Sequence, residues 1–462
     1  MFSLRNSTRL RKELGQGELP SHFTGLLPLC QWTKSTPRQR SLSYDTIGAG
    51  PVGLLVGLRL VRAGIPTTVL EMLPAVENSP RAAVYMPVAV RELDRAGIPD
   101  ACRAMGSSGT SIAWRKINGE VIVELERIPD DEEPYENLIL GQHELAEVIQ
   151  NAFQQESSGE TPLARVLFSH RATKIEQDED GVTATAEVSD GDAKREQRLR
   201  AQYVVGADGA RSFVRRHLNI PFEGFTWDRQ IVATNVVYPF EKYGYSTGNN
   251  IVHPDHYAVI AKLNNQGLWR VSYGEEVNLT MEQLRERLPM KYEALFPGPR
   301  PLQYDLKMFS PYRIHQRCST TFRVGRVLLA GDAAHVCNPF GGLGLTGGLL
   351  DAGALSDCLI AVLKDNVPDA VLDKYAELRR DIFLKVVDPT TQANIRRLFE
   401  NDPDTCLETD PFFQSVLSSS HSDRQMIRGM QSLAVDMKEV IEAAKAERDN
   451  VENGSTKESV KL

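Results

Sequence analysis

Six residues near position 50 constrain the fold of this chain more than any other feature. They read GAGPVG, from Gly48 to Gly53, and a helical pattern over residues 54–63 follows them. A short apolar segment, residues 67–70, then has the composition of a strand. A glycine-rich turn that opens a helix between two strands is the local signature of a dinucleotide-binding unit. We therefore predict a Rossmann-type fold at this point in the chain.

The three glycines of this segment have separate structural tasks. Gly48 permits the tight turn, Gly50 lets the backbone approach a pyrophosphate, and Gly53 lets the helix pack closely on the strand. The N-terminus of the helix then faces the phosphates with its unpaired N–H groups. Glu71 ends the second strand, where its carboxylate can accept a hydrogen bond from a ribose hydroxyl.

The strand that should precede Gly48 is poorly apolar. Residues 42–47 read LSYDTI, whereas a central parallel strand is usually a continuous apolar run because both of its faces are covered. A strand of this composition would bury polar side chains. Either the strand is short and distorted, or this N-terminus is not the one with which the fold evolved.

Two further motifs follow in the chain. Residues 203–215 read YVVGADGARSFVR, a strand that runs into an Asp-Gly turn and then a helix. Residues 325–335 read GRVLLAGDAAH, and residues 338–345, NPFGGLGL, lead into a helix from Thr346. Together with the first glycine segment, these motifs resemble the three fingerprints of the single-component flavoprotein aromatic hydroxylases, the family of para-hydroxybenzoate hydroxylase and phenol hydroxylase. The resemblance covers about residues 44 to 385.

The resemblance implies FAD as a tightly held cofactor and NAD(P)H as the electron donor. It implies that Glu71 binds the adenosine ribose, that Arg81 and Gln142 contact the pyrophosphate and ribityl region, and that Asp332 hydrogen-bonds the ribityl chain. Backbone N–H groups would come to the flavin ring from Gly344 and Leu345. It also implies that Asp208 and Arg215 link the FAD site to a passing nicotinamide nucleotide, because the family has no separate domain for that nucleotide.

The residues themselves leave alternatives for the two aspartates. Asp332 follows an apolar strand, where a carboxylate is costly unless it meets a hydrogen-bonding ligand. An N-cap is the alternative for Asp332, and a simple turn is the alternative for Asp208. Thr346 stands where the family commonly has Asn, which would alter how the flavin ring is held.

The order of elements predicts a mixed α/β chain, α+β overall, in which a β-sheet substrate domain is inserted into a Rossmann-type FAD-binding domain and helices follow. We expect an N-terminal extension, a discontinuous FAD-binding domain, a β-rich substrate domain, C-terminal helices and a disordered tail. Their boundaries, in that order, are 1–40, 41–220 with 300–365, 221–299, 366–444 and 445–462.

The substrate side is less informative. Alternation along residues 267–273 puts Trp269 and Tyr273 on one face of a strand and Arg270 on the other. Tyr257, Trp269 and Tyr273 are candidate substrate contacts, although aromatic packing is the commoner role for such residues. No residue is singled out as a catalytic acid, base or nucleophile, which suits chemistry carried by a cofactor.

Composition excludes several other classes. A net charge of −8 argues against a nucleic-acid partner. The six cysteines are scattered without a metal-binding or disulfide pattern, which favours an intracellular, more specifically cytoplasmic, location. His253 and His256 have no Cys or His cluster around them, so we expect a polar turn and no metal.

The basic segment 1–40 is either a mitochondrial targeting peptide or a disordered extension. The apolar region 336–363 predicts a buried helix, and we expect no transmembrane segment.

The predicted function is therefore that of an FAD-dependent monooxygenase, which uses NAD(P)H and O2 to hydroxylate an aromatic, phenolic or related secondary-metabolite substrate. One alternative is an FAD-dependent epoxidase or reductase that acts on an alkene. The other is a flavin-binding protein without turnover.

Overall fold

The computed structural model describes residues 44–78, 82–109, 111–126, 134–157, 162–190, 193–418 and 430–459. The predicted extension, residues 1–40, and Arg81 lie outside these ranges. Numbered along the chain, the described strands are β1 (Tyr44–Ile47), β2 (Thr67–Leu70), β3 (Val84–Tyr85), β4 (Ser107–Gly109), β5 (Ser111–Arg115), β6 (Val121–Glu126), β7 (Asn137–Ile139), β8 (Ala164–Leu167), β9 (His170–Asp178), β10 (Gly181–Asp190), β11 (Ala193–Ala201), β12 (Tyr203–Gly206), β13 (Phe222–Val237), β14 (Gly248–Ile251), β15 (Ala258–Lys262), β16 (Leu268–Glu276), β17 (Asp305–Ser319), β18 (Arg323–Val324), β19 (Val327–Leu329) and β20 (His335–Val336).

The helices lie partly between these strands and partly after them. They are α1 (Pro51–Arg62), α2 (Pro87–Arg95), α3 (Pro99–Met105), α4 (Gln142–Gln155), α5 (Phe213–His217), α6 (Met281–Leu295), α7 (Leu343–Lys364), α8 (Ala370–Ile382), α9 (Asp388–Phe399), α10 (Cys406–Thr409), α11 (Pro411–Leu417) and α12 (Met437–Ser459).

A mostly parallel sheet of six strands forms the nucleotide-binding part. Its order is β18-β19-β12-β1-β2-β8, and only the edge strand β18 runs antiparallel to its neighbour. Helix α1 connects β1 to β2. Because the other five strands are parallel, their carboxyl ends meet at one edge of the sheet, which is where nucleotides bind in this topology. The predicted Rossmann-type fold is confirmed.

Strand β1 is short, and it buries polar side chains as its composition predicts. Asp45 is 2% exposed and Thr46 is fully buried. Burial raises the pKa of Asp45 to about 7, although Arg165 and Thr68 act in the opposite direction. All four residues of the strand pair in register with both β12 and β2. The strand is therefore regular, and the distortion that we considered is not found.

A second, larger sheet contains eight strands in the order β20-β17-β13-β16-β15-β14-β5-β6. Its neighbours are antiparallel except for β14 and β5. The predicted substrate segment, residues 221–299, contributes only its four central strands. Strands β5, β6, β17 and β20 come from outside that segment, so the sheet draws on more of the chain than the sequence indicates. Two three-stranded sheets, β11-β10-β9 and β3-β7-β4, complete the strands.

Helix α7 is the apolar helix that the sequence predicts. It is long and apolar enough to cross a bilayer, but 78% of its most apolar window is buried inside the protein. Its side chains pack against helix α1 and the apolar cluster of the six-stranded sheet. The prediction of a buried helix is confirmed.

The predicted disordered tail from residue 445 needs correction, because helix α12 continues to Ser459. Two of its basic side chains contact the end of helix α7. Arg448 donates a 2.7 Å hydrogen bond to the carbonyl oxygen of Asp365, and the Lys445 ammonium lies 3.3 Å from the carboxylate of the same residue. Tertiary contacts with charged side chains therefore support a segment that has few apolar residues of its own.

Candidate cofactor and substrate site

The glycine loop has the shape that its sequence predicts. Gly48 adopts a φ of +111°, and a side-chain carbon there would overlap the carbonyl oxygen of Ala207. A side-chain carbon on Gly53 would overlap the Gly48 carbonyl oxygen. Gly50, in contrast, faces open space, with no described atom within 4 Å of a carbon added there. Gly50 is also the N-cap of α1, and no described side chain caps that helix. Open space above uncapped N–H groups suits a phosphate.

Glu71 lies directly beside this loop. One carboxylate oxygen accepts a 2.8 Å hydrogen bond from the backbone N–H of Ala49, and the other accepts a 2.9 Å bond from that of Leu73. Because each oxygen has a second lone pair, the carboxylate is oriented by the loop and can still accept from a hydroxyl.

Asp208 follows β12 and comes close to the glycine loop. Its Oδ2 accepts hydrogen bonds from the backbone N–H groups of Phe213 and Val214, at 2.6 and 3.1 Å, so it caps helix α5. Its buried Oδ1 has no hydrogen-bond partner within the part of the chain that the structure describes. Burial raises the pKa of Asp208 above its usual value. The turn interpretation therefore holds for one oxygen, while the other suits a hydrogen-bond donor on a ligand.

Arg215 connects the second motif to the third. It is 5% exposed and donates 2.8 Å hydrogen bonds to the carbonyl oxygens of Ala333 and Ala210. Its guanidinium also lies 3.7 Å from the centre of the Phe222 ring. These contacts give Arg215 a structural role. A contact with a passing nicotinamide nucleotide would require it to leave them.

Asp332 lies in a short turn, Gly331–Ala333, just after β19. It is half-buried at the same sheet edge as the glycine loop. Gly331 has a φ of +60° and packs against Val52 of α1. The third motif thus comes to the first because α1 and β19 meet at that edge. We call residues 331–333 the aspartate loop.

The start of helix α7 contributes backbone donors. Its N-cap, Gly342, is in the left-handed region with a φ of +66°, and in the described structure no side chain caps the helix. Gly344 and Leu345 belong to the first turn, where N–H groups have no partner within the helix. The hydroxyl of Thr346 is fully buried, 3.4 Å from the backbone nitrogen of Met86. Thr346 therefore faces the chain segment that follows residue 81.

Gln142 begins helix α4 and is half-buried. Its backbone N–H donates a 3.0 Å hydrogen bond to the carbonyl oxygen of Ala82. This contact brings Gln142 next to the segment that carries Arg81, whose own placement lies outside the described residues. The expected pairing of the two residues at one ligand stays a prediction.

The eight-stranded sheet has two different faces. One face packs on helix α6 and is buried and mostly apolar; it includes Trp269 and Tyr273, both fully buried. The other face looks toward Phe340 and helices α9 and α11. Trp269 and Tyr273 are therefore on the face away from the third motif, and we withdraw them as candidate substrate contacts. Their role is core packing, the commoner use of aromatic residues in strands.

Tyr257 lies on the face that looks toward Phe340. Its ring centre is 5.9 Å from that of Phe340 and 5.4 Å from that of Phe399. The ring lies directly over Gly274, where a side-chain carbon would overlap it. The buried Tyr257 hydroxyl has no hydrogen-bond partner among the described residues. Of the three aromatic candidates, the structure brings only Tyr257 to this face.

The same face carries Arg270, which alternation had set apart from Trp269. Arg270 pairs across the strands with Asn235 and Ala261. It is 8% exposed, and its Nε donates a 2.7 Å hydrogen bond to the side-chain oxygen of Asn235. Burial lowers the pKa of Arg270 to about 10, with Tyr312 and Tyr85 acting in the opposite direction. A buried guanidinium is a strong site for an anionic oxygen.

The surroundings of Arg270 are not completely filled. Val259, Ser272, Ser310 and Tyr312 are only half-buried, although they lie in the interior of the sheet on this face. We call this face, with Asn235, Arg270 and those four residues, the Arg270 face. The hydroxyl of Tyr85 is buried without a hydrogen-bond partner in the described chain. The sequence signal for this surface is a polar residue within each of two apolar strands, Asn235 in β13 and Arg270 in β16. We did not use this signal in the sequence analysis.

Metal ligands are not assembled in the described residues, where no group of three or more His, Cys, Asp or Glu side chains could hold an ion. The His253–His256 step forms a turn. The Nδ1 atom of His253 accepts hydrogen bonds of 3.1 Å from the backbone N–H groups of Asp255 and His256. The interpretation as a polar turn is confirmed.

Comparisons with known proteins agree with this geometry. The family described as FAD binding domain matches residues 46–390. The chain is 41% identical to a para-nitrophenol 4-monooxygenase of Pseudomonas sp. (strain WBC-3) over 84% of this chain and 94% of that protein. It is 37% identical to a 6-hydroxy-3-succinoylpyridine 3-monooxygenase of Pseudomonas putida (strain DSM 28022 / S16), over 77% and 89% of the two chains.

Solved structures give the same result. The crystal structure of p-nitrophenol 4-monooxygenase from Pseudomonas putida DLL-E4 is 39% identical and superposes with a TM-score of 0.78, covering 84% of this chain and 97% of that one.

Proposed function

This chain belongs to the FAD binding domain family and is an FAD-dependent aromatic monooxygenase, and we propose that its substrate is a phenol bearing an anionic or nitro substituent. FAD is the cofactor, and NAD(P)H and O2 are the co-substrates that the family uses. The relatives with the highest identities described above are named for a nitrophenol and a hydroxypyridine. No observation favours an alkene epoxidase, an alkene reductase or a flavin-binding protein without turnover.

We propose that the cofactor lies along the carboxyl edge of the six-stranded sheet. The glycine loop would hold the pyrophosphate and Glu71 the ribose, while Asp332 would hold the ribityl chain. Three observations support this proposal. Space is open at Gly50, Oδ1 of Asp208 has no hydrogen-bond partner among the described residues, and no described side chain caps the N-terminus of α7. When bound and reduced, FAD supplies the activation of O2. The proposed cofactor contacts are Gly48, Gly50, Gly53, Glu71, Arg81, Gln142, Asp208, Asp332, Gly344 and Leu345.

The single observation that supports the substrate class is the buried guanidinium of Arg270. An anionic oxygen of a ligand can accept charge-assisted hydrogen bonds from a buried guanidinium, and such bonds are stronger than those between neutral groups. The Arg270 face is half-buried and lies on the side of the sheet that packs against Phe340, and we propose that the aromatic ring of the substrate binds there. The Tyr85 hydroxyl would donate to the same oxygen group. Tyr257 would pack against the ring.

The protein would contribute by binding and by excluding water. Orientation of the ring against a cofactor places the reacting atoms close together, and an apolar enclosure limits wasteful loss of reducing equivalents. The apolar side chains around Phe340 and Ile231 supply that enclosure. No acid or base needs to be assigned to a residue for this role.

The experiment is a panel of phenols, with and without nitro or carboxylate groups, assayed for NAD(P)H oxidation and for added oxygen by mass spectrometry under labelled O2. We expect slow oxidation alone, faster oxidation with 4-nitrophenol than with phenol, and a product that carries one labelled oxygen atom. Oxygen derived from water, or equal turnover without O2, would contradict the monooxygenase. A preference for unsubstituted phenol would contradict the substrate class alone.

A further inference from the structure

We infer that Asp351 is a positioning residue for the aspartate loop, and that Arg379 holds the Asp351 carboxylate in place for this role. This inference rests on the proposed contact between Asp332 and the cofactor. Asp351 is in helix α7 and is not one of the proposed cofactor contacts.

Asp351 is fully buried and holds three groups at once. Its Oδ2 accepts a 2.9 Å hydrogen bond from the backbone N–H of Gly331 and lies 2.7 Å from Nε2 of His335. Its Oδ1 accepts a 2.7 Å hydrogen bond from Nε of Arg379. Gly331 is the residue immediately before Asp332. The carboxylate therefore fixes the Ala330–Gly331 peptide, at the start of the aspartate loop.

The charge of Asp351 is maintained inside the protein. Burial alone would raise the pKa of Asp351, but the neighbouring His335 and Arg379 outweigh it and lower that pKa to about 2. The His335 ring is held in turn between the rings of Phe322 and Phe383, whose centres lie 5.7 and 4.6 Å from its own. An ionised carboxylate with several fixed donors has little freedom to move.

Arg379 extends the network away from the cofactor. Its terminal nitrogens donate to the carbonyl oxygens of Gly347, in the second turn of α7, and of Leu433, just before helix α12. Tyr375 of the same helix donates a 2.8 Å hydrogen bond to the carbonyl oxygen of Leu329, at the end of β19. Helix α8 therefore supports the aspartate loop on one side through Tyr375 and Arg379. On another side, Val52 of α1 packs against Gly331 of the loop.

The test measures the FAD dissociation constant of purified holoenzyme by equilibrium ultrafiltration, together with the visible circular dichroism of the retained flavin. The variants are Asp351→Asn, Asp332→Ala and the double variant. Asp357→Asn is the matched control, because Asp357 lies on the same helix and its carboxylate pairs only with Arg59 and Arg95 among its ion pairs in the described structure. In Asp351→Asn, an amide donor would face a donor of His335 or Arg379.

We expect Asp351→Asn to weaken FAD binding on the order of tenfold to a hundredfold, the loss of a charged hydrogen bond, and to change the flavin dichroism. Asp357→Asn should alter neither. In the double variant the two losses in FAD binding free energy should not add, because both act through one loop.

Additive losses, or FAD binding in Asp351→Asn equal to the control, would overturn the inference. If Asp332→Ala alone binds FAD normally, the proposed site fails instead. Should Asp351→Asn not fold, Arg379→Lys decides by the same measurements and criteria.

Discussion

At the scale of single residues, the glycines of the first motif meet two different requirements. One is close packing within the protein, and the other is open space at the loop. Gly48 and Gly53 are needed by the protein itself, because a side chain at either position would overlap backbone. Gly50 has no such restriction, and its φ of −73° is available to any residue. We propose that the space above Gly50 holds the pyrophosphate.

This contrast predicts different outcomes for two alanine substitutions. Gly53→Ala should destabilise the protein by about 1–3 kcal/mol, since helix α1 must shift to admit the methyl group. Gly50→Ala should leave the melting temperature of flavin-free protein unchanged but lower the flavin content of the purified enzyme. Thermal melts and flavin absorbance measure the two effects. Equal flavin content in Gly50→Ala and the parent would show that the pyrophosphate does not pass there.

The Arg270 face gives a second prediction at this scale. Arg270→Met should raise the KM for a nitro- or carboxylate-substituted phenol on the order of tenfold, because a charged hydrogen bond is lost. The neighbouring Trp269→Phe is the control, since Trp269 points to the α6 face. It should lower the melting temperature and leave KM unchanged. An unchanged KM in Arg270→Met would remove this side chain from the substrate site.

At the scale of elements, strand β1 shows that a strand with polar residues can occupy a central position in a sheet. Its backbone pairs with two parallel neighbours, and this pairing places Asp45 inside the protein. One oxygen of that carboxylate has no hydrogen-bond partner in the described residues. Pairing with β12 and β2 stabilises strand β1, which leads directly into the glycine loop.

The buried carboxylate predicts a pH-dependent stability. The pKa of Asp45 is about 7 in the fold, against an ordinary value of 3.8 for an aspartate, so the fold favours the protonated form. Ionisation therefore costs stability as the pH rises from about 4 to 7, and the full cost remains above that range. Asp45→Asn should stabilise the protein by about 1–3 kcal/mol near pH 8 and less near pH 5.

Denaturant melts at both pH values check this expectation. Asp178→Asn is the control, because Asp178 is exposed and Arg200 lowers its pKa to about 2. That substitution should not stabilise the protein at either pH. A gain of equal size at both pH values in Asp45→Asn would show that ionisation is not the cause.

At the scale of the whole molecule, the described residues belong to one compact unit, residues 41–462. Within this unit, helix α9 contacts Phe340 through Asn394, and helix α8 contacts the end of β19, just before the aspartate loop, through Tyr375. We propose to move strands β5, β6, β17 and β20 from the predicted FAD-binding part to the substrate part, which then contains the whole eight-stranded sheet.

The sequence predicts that residues 1–40 are an extension that precedes the FAD-binding domain. Their removal should therefore leave flavin content and melting temperature unchanged. The measurement compares the two purified chains by flavin absorbance and thermal melting. A large loss of either quantity would place part of the segment in the folded core and move our boundary.

The sequence alone determined the Rossmann-type unit and the order of the three motifs, and its resemblance to the flavoprotein hydroxylases implied FAD. The Rossmann-type unit follows from local constraints, because the positive φ of Gly48 and the close backbone approaches at Gly48 and Gly53 admit only glycine. The buried helix α7 was predictable for a similar reason, since its apolar composition is continuous in the chain.

The tertiary structure decided which surface of each element is used. Alternation separates Trp269 from Arg270, but only the docking of α6 on one side shows that the Arg270 face looks toward Phe340. The capping role of Asp208 and the network around Asp351 likewise join residues distant in the chain. Helix α12 extends where the sequence predicts a tail, because its partners lie at the end of α7. Such contacts depend on packing between separate segments, which no local pattern records.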